Sequence, residues 1–403
     1  MRFIDGIPVW GDPDDATVNQ IKMCAASEEA VGAALMGDGH KGYSMPIGGV
    51  VAYRDAISPS GVGYDIACGI MAVRTDALAE DVRPSVGAIL DDIARAVSFG
   101  LGRTNQTPIE HELFDDPVWT DDKNVAALRD KAAAQLGTVG SGNHFVDLLE
   151  EPETGALWVA VHFGSRGFGH GIASGYLNLA HGRAFFDRAP GETMDDPPTV
   201  IPLRGDEALL GQAYLAAMKL AGRYAYAGRE YVVSQVLEIL GATDLDTVHN
   251  HHNFAWKEDH GGEIVYVVRK GATPAWPDQR GFVGGSMGDW AAVVSGVDTE
   301  EAQLALRSTV HGAGRIMSRT AAKGKRKKGV QKTPGLVTRQ MMSERTKEFG
   351  VVVRGGDVDE SPHAYRSLRP VIEQHADSLK VLHWLRPIGV VMAGAEVQDP
   401  YKD

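Results

Sequence analysis

Forty-eight of the 403 residues are glycine, against a usual ~7%. Their placement constrains the fold more than their number. They gather in short clusters between apolar runs and follow no fixed period. That pattern excludes a collagen-like array or a flexible linker, and it requires many tight turns and close backbone approaches. The runs Ile47–Tyr53, Leu157–His162, Glu263–Arg269, Gly350–Arg354 and Ile388–Met392 read as strands. From about residue 206 to 240 the period changes. Leu210, Tyr214, Ala217, Met218 and Ala221 recur at three- and four-residue steps, as on one face of a helix. Residues 76–135 read as helical and polar. Residues 186–206 carry Pro190, Pro197, Pro198 and Pro202 and read as an irregular surface insertion. No internal repeat at roughly 20–50 residues is present, and no clear linker separates two halves. The expectation is an α+β fold: one large domain over residues 1–403, with a central mixed sheet and surrounding helices.

Charge and cysteine usage bound the function. The formal net charge is −13, which argues against a protein that simply coats nucleic acid, since such proteins are often basic overall. A local basic groove, or a site where metal supplies the positive charge, is still allowed. Cys24 and Cys68 are the only cysteines, too few for a disulfide framework. The first eleven residues show no signal pattern, and no apolar run approaches the ~20 residues of a membrane helix. A reduced compartment and a cytoplasmic location are expected, with no membrane partner.

Several glycine clusters frame side chains that can do chemistry. Asp65 and Cys68 lie three apart in Gly61-Val62-Gly63-Tyr64-Asp65-Ile66-Ala67-Cys68-Gly69. A lone cysteine of this kind is usually a small buried hydrophobe. His144 in Gly140-Ser141-Gly142-Asn143-His144-Phe145, and His162 in Val161-His162-Phe163-Gly164-Ser165-Arg166-Gly167, sit where apolar runs meet glycines. Such junctions place functional groups on a rigid scaffold, although a hydrogen-bonded structural histidine fits them too. His249-Asn250-His251-His252-Asn253 points to a metal or phosphate site, with a solvated polar turn as the alternative. In His311-Gly312-Ala313-Gly314-Arg315 the glycines expose backbone N–H groups that can cradle a phosphate beside the histidine. Arg315 adds a planar fork for its oxygens. One carboxylate, one thiol and several histidines together form the inventory of a transition-metal site. Ligand softness alone favours zinc. A thiolate shared by two ions would build a centre suited to phosphoryl transfer.

The order of these motifs resembles the RtcB family of RNA-splicing ligases. The matching segments also include Asp38-Gly39-His40, Pro46-Ile47-Gly48-Gly49, His252-Asn253, Arg269-Lys270-Gly271-Ala272-Thr273 and Gly285-Ser286-Met287-Gly288. They run through roughly residues 35 to 394. The resemblance implies the family's α+β architecture around a sandwich-like core. It implies two Mn²⁺ ions bridged by Cys68, with Asp65 and His144 on one and His162 and His252 on the other. His311 would be the catalytic nucleophile that takes GMP from GTP. Asn143, Asp147, Asn253, Ser286, Gly312, Ala313 and Tyr365 match positions near the nucleotide. Asp38, His40, Arg166, Lys270 and Arg315 are expected to contact RNA or its phosphates, with a turn-stabilising role as the alternative for Asp38 and His40. The substrate implied is RNA with a 3′-phosphate or 2′,3′-cyclic phosphate and a 5′-hydroxyl, tRNA among the candidates. An archease-type activator is the implied partner.

The chain also departs from the family. Asp147 stands where a glutamate is usual. Gly228-Arg229 replaces Asn-Arg, and Arg223 replaces a nearby asparagine. Ala393-Gly394 replaces a terminal Lys-Gly and is followed by an extension, 395–403. Loss of that lysine should weaken nucleotide binding unless Lys402 or the basic segment Lys323–Lys332 substitutes. That segment reads as a contact for RNA phosphates, which would be salt-sensitive, or as a solvated loop. Metal-dependent end processing or guanylylation without sealing is the alternative function. A non-catalytic nucleic-acid-binding or assembly protein is a third reading, disfavoured by the intact chemistry residues.

Overall fold

Ile47–Tyr53 shows how the apolar runs become buried strands. Side chains alternate across a strand. Val50 and Ala52 therefore face one cluster, with Ala34, Val265, Val267, Ala292 and Val294, while Val51 and Tyr53 face another, with Ile21, Leu35 and Val268. Burial of each such side chain contributes up to roughly 1.5–3 kcal/mol. In this computed structural model, residues 1–188, 194–206, 208–327 and 330–395 are described, with residues 326, 327, 330 and 331 described by backbone alone. The chain is 35% helical and 33% strand, and the α+β expectation holds.

The sheet content divides between two main sheets. The six-stranded one runs in the order Arg2–Ile4, Ile7–Val9, Ala30–His40, Ile47–Tyr53, Glu263–Lys270, Asn253–His260. The eight-stranded one runs Asp244–His251, Gly69–Leu78, Ala156–Phe163, Phe145–Glu150, Leu379–Gly394, Ala291–Gly296, Arg280–Val283, with Val352–Gly356 pairing parallel to Leu379–Gly394. Val50, Ala52, Val265 and Val267 of the first share a core cluster with Val283, Ala292, Val294 and Leu379 of the second. The two sheets thus pack face to face, as the expected sandwich-like core requires.

The outer faces are covered by helices. Ala208–Leu240, 33 residues long, contains no proline and is rich in alanine and leucine, both strong helix formers. Its first half buries Tyr214, Ala217, Met218 and Ala221 beside Phe168 and Tyr176 of the helix Arg166–Ala180. Its second half buries Val232, Val233 and Val236 against Val159, Val161 and Phe163 of the eight-stranded sheet. Gly241 ends it at φ +62°, the left-handed cap position that glycine occupies without steric cost.

Three sequence expectations change here. The polar region 76–135 begins inside a strand, since Gly69–Leu78 continues to residue 78, and its helices are short ones at 79–82, 86–96, 118–121, 123–126 and 129–135. The segment 186–206 is not purely a surface insertion. Ile201–Pro202 pairs with Ala56–Ile57, and Met194 reaches a large cavity. Pro190 lies outside the described residues, as do Lys328, Lys402 and nearly all of the extension. Lys323 is not a solvated loop cation: it pairs with Asp357 and Asp359.

Candidate metal centre and nucleophile pocket

Strand register assembles the site. Gly69 lies opposite both His251 and Phe163, and Phe145 lies opposite His162. Four adjacent strands therefore end together, bringing Cys68, His252, His162 and His144 to one edge of the eight-stranded sheet. The backbone N–H of His252 donates to the Cys68 carbonyl at 2.8 Å. Asp65 reaches over from the preceding loop. A Cβ at Gly164 would lie 2.2 Å from its Oδ1, so only glycine leaves the carboxylate room.

Two sets of ligand atoms result, Cys68–His162–His252 and Asp65–Cys68–His144, each with its atoms within 4.8 Å of one another. Cys68 Sγ is 3.2 Å from His162 Nε2 and 3.6 Å from His144 Nε2. His162 Nε2 is 3.3 Å from His252 Nε2, and His144 Nε2 is 3.0 Å from Asp65 Oδ2. His162 Nδ1–H donates to the Asn143 carbonyl at 3.0 Å, which leaves its Nε2 lone pair facing the cluster, the arrangement of metal-bound histidines. His144 Nδ1 lies 3.0 Å from the Val139 carbonyl and 3.1 Å from Arg166 Nη1. Burial holds His162 and His252 well below the ordinary imidazole range, so both rings are neutral. Burial and the Asp65 carboxylate push the Cys68 thiol up; a cation at the cluster would reverse that. The donor set fits two divalent ions sharing one sulfur.

Arg229, on the long helix, is fully buried behind this cluster. Its guanidinium donates to the carbonyls of Ala67 and Phe163 at 3.0 and 2.6 Å, and to His249 Nε2 and His251 Nδ1 at 2.9 and 3.0 Å. A guanidinium only donates, so both imidazoles accept. Burial and Arg229 hold both well below the ordinary imidazole range. The histidine run is thus not a solvated turn: of its members only His252 belongs to the metal set, while His249 and His251 hold Arg229.

His311 follows the short strand Ser308–Val310, and its ring centroid lies 4.9 Å from that of His252. Its Nδ1–H donates to Asp38 Oδ2 at 2.6 Å, and the same oxygen accepts the N–H groups of His311 and Gly312 at 3.1 and 3.2 Å. Nε2 therefore carries the free lone pair. Gly271, at φ +59°, lets the backbone pass the ring; a Cβ there would meet His311 Cε1 at 3.0 Å and Ile47 at 2.4 Å. Burial alone would raise Asp38, but its electrostatic interaction and hydrogen bonds with His311 outweigh it and hold the carboxyl below its usual range.

A cavity of about 540 Å³ opens in front of these groups. Its wall includes Asp65, Cys68, His162, His252 and His311 from the expected chemistry. It also includes Asn143, Asp147, Asn253, Ser286, Gly312, Ala313 and Tyr365 from the expected nucleotide set, with His40 and Arg315. Burial pushes Asp147 well above the ordinary carboxylate range, and its buried Oδ1 has no partner among the described residues. Four expected residues lie off the wall. His144 sits just behind it among the ligands. Arg166 packs its guanidinium 3.1 Å from His144. Lys270 Nζ donates to the Tyr43 carbonyl at 2.5 Å. Asp38 is fully buried, so it cannot line an RNA path; it orients His311 instead. His40 is tied to the Asp38 carbonyl at 2.9 Å.

Some functional groups escaped the linear reading. Glu360 lines the cavity and accepts from the Tyr365 hydroxyl and from Arg319. Arg315 donates to the Asp359 carbonyl and the Tyr365 hydroxyl at 2.8 and 2.9 Å. The spacing of Arg315 and Arg319 marks one face of a turn, but nothing in the sequence pairs it with residues more than forty positions on.

Residues 20–129 and 116–393 match the tRNA-splicing ligase RtcB family. The RNA-splicing ligase RtcB of Escherichia coli K12 is 31% identical, over 95% of this chain and 94% of its own length. The tRNA-splicing ligase RtcB of Thermococcus kodakarensis is 30% identical over 94% and 93%. That of Pyrobaculum aerophilum is 31% identical over 89% and 87%.

Proposed function

The chain belongs to the RtcB family of RNA ligases, and from that premise we propose that it joins RNA 3′-phosphate or 2′,3′-cyclic phosphate ends to 5′-hydroxyl ends, using GTP and two Mn²⁺ ions. One observation carries the proposal. The His311 imidazole is anchored through Nδ1 on a buried carboxylate and sits against a metal-ligand cluster, at the wall of a pocket that Asp147 also lines.

In this reading His311 Nε2 attacks the α-phosphorus of GTP. The bond to the bridging oxygen breaks, pyrophosphate leaves, and the ring holds GMP through a P–N bond. Asp38 keeps Nδ1–H hydrogen-bonded and offsets positive charge developing on the ring. An oxygen of the RNA 3′-phosphate then takes GMP from the histidine. The 5′-hydroxyl attacks that activated phosphate, a phosphodiester forms and GMP departs. The ions, when bound, supply positive charge against which the phosphoryl transfers proceed. Asp65, Cys68, His144, His162 and His252 would hold them. Asp147 lines the pocket, and a ligand edge rich in N–H groups, such as guanine, would favour its ionised carboxylate and offset the burial that raises it.

Incubation with α-labelled GTP and Mn²⁺ tests this. Label should remain on the denatured parent and be absent from His311→Ala. No label on a folded, metal-loaded parent would sink the ligase reading. End processing without sealing is a second reading, because Ala393 provides no cation where the family ends in lysine. Labelled protein that opens cyclic phosphates yet yields no joined product would favour it. Lys402→Ala with unchanged labelling would remove the tail as a substitute for that lysine.

A further inference from the structure

We propose that Lys41 is a phosphate contact at the mouth of this pocket, held in place by Asp195, and that it reads the terminal phosphate of the RNA end. The proposal rests on the ligase reading above. Lys41 lines the same cavity as His311. The two arginines on that wall are largely engaged within the protein, and the nitrogens that lack a partner among the described residues, Arg315 Nη2 and Arg319 Nε, are themselves buried. Arg315 donates to the Met317 and Asp359 carbonyls and the Tyr365 hydroxyl, and Arg319 pairs with Asp359 and Glu360. Lys41 Nζ instead meets Asp195 Oδ1 at 2.6 Å, and the Asp195 side chain is 79% exposed. So open an ion pair contributes little to stability, and a more highly charged anion displaces the carboxylate readily.

The pair is built into the fold. Gln20, 1% exposed on the helix Asp15–Ala25, accepts from the Gly42 N–H at 3.0 Å and donates to the carbonyls of Gly42 and Met194. One buried amide thus fixes the backbone next to Lys41 and the backbone next to Asp195. Beyond residue 195, Ser58 Oγ donates to the Thr199 carbonyl and the Thr199 N–H donates to Ser60 Oγ, both at 2.8 Å. The segment carrying Asp195 is therefore seated on the pocket rim from both sides. Asp14 lines the same mouth, but its carboxylate accepts the Thr17 N–H at 2.8 Å as a helix cap. A lysine ammonium is a point charge on a flexible stem. It suits a terminal phosphate, which carries more charge than any internal one. The β- and γ-phosphates of GTP share that chemistry, so the test separates the two.

Equilibrium binding of a short RNA with a 3′-phosphate, and of its 3′-hydroxyl twin, is measured on the full chain and on Lys41→Ala, Lys41→Arg and Asp195→Asn, with GTP labelling in parallel. Lys41→Ala should weaken the phosphorylated RNA about tenfold, the scale of one charged hydrogen bond, and the twin far less. Lys41→Arg should restore most of the loss. Asp195→Asn should tighten the phosphorylated RNA severalfold, a gain that misfolding cannot produce. Equal weakening of both RNAs, or none, overturns the proposal. Lost GTP labelling with intact RNA binding would move Lys41 to the nucleotide and also overturn it. A parent that labels with GTP while Lys41→Ala binds normally fails this inference alone; a parent that takes no label fails the ligase reading beneath it.

Discussion

His311 has two ring nitrogens, and Asp38 claims one of them. Three donors converge on Asp38 Oδ2: the ring Nδ1–H and two backbone N–H groups. The carboxylate therefore fixes the ring's tautomer and rotamer together. Asp38→Asn keeps an acceptor but removes the charge. Its rate of GTP labelling should fall roughly 100-fold, the scale of one preorganised electrostatic contact. An unchanged rate would show that the ring needs no counter-charge. A second histidine makes a prediction about stability. His375 is fully buried, stacks on Trp10 and accepts the Gly37 N–H at 3.0 Å. Burial lowers it from 6.5 to about 4. Its unfolded form thus binds protons first as pH falls, so its contribution is complete above about pH 6.5 and declines toward pH 4. Between pH 7 and 5 the loss is about 2 kcal/mol. Urea midpoints of the parent and His375→Asn over that range check it: the variant should lose correspondingly less, and equal slopes would refute it.

At the scale of elements, the long helix Ala208–Leu240 does more than cover a sheet. Arg229 projects from it to the carbonyls of Ala67, beside Cys68, and of Phe163, at the end of the strand Ala156–Phe163, and joins the strand that carries His249 and His251. One guanidinium thereby ties a helix, a loop and two strands. Arg229→Met retains the length of the side chain but leaves two carbonyls and two imidazoles without a donor. It should lower stability by about 3–5 kcal/mol and weaken metal binding at the same time. Denaturation midpoints and metal titration measure both. A variant as stable as the parent would show that water replaces the guanidinium. Ile47–Tyr53 was readable as an unbroken apolar run between turn residues, and the long helix because its apolar residues recur at three- and four-residue steps. The region 76–135 was not, because its helices are mostly single turns whose positions depend on what they pack against.

At the scale of the whole molecule, Cys68 belongs to both ligand sets. Metal stoichiometry should therefore respond unequally to substitution. Dialysis against Mn²⁺ followed by metal analysis should give two ions for the parent, one for His252→Ala or His144→Ala, and none for Cys68→Ala. One ion retained by Cys68→Ala would refute a shared sulfur. Ions that bind only the folded chain also stabilise it. At a concentration of about 100 times Kd the gain is ~2.7 kcal/mol, so chelation should lower the melting temperature reversibly. The described residues contain no helix long and apolar enough to cross a membrane.

The sequence by itself determined which groups are available and where the chain turns. Glycine clusters mark the loops that carry or adjoin Asp65, Cys68, His144, His162 and His311, and these meet His252 of the histidine run at or just behind the cavity wall. Those signals are local: a turn or a strand period is written in adjacent residues. Tertiary structure alone decided the pairings. Asp38 and His311 stand 273 positions apart, and Lys41 and Asp195 154. Whether a carboxylate faces RNA or a histidine depends on strand register and on which face of a sheet meets its neighbour. A one-residue slip would send Asp38 to the other face, and nothing next to it in the chain records which face was chosen.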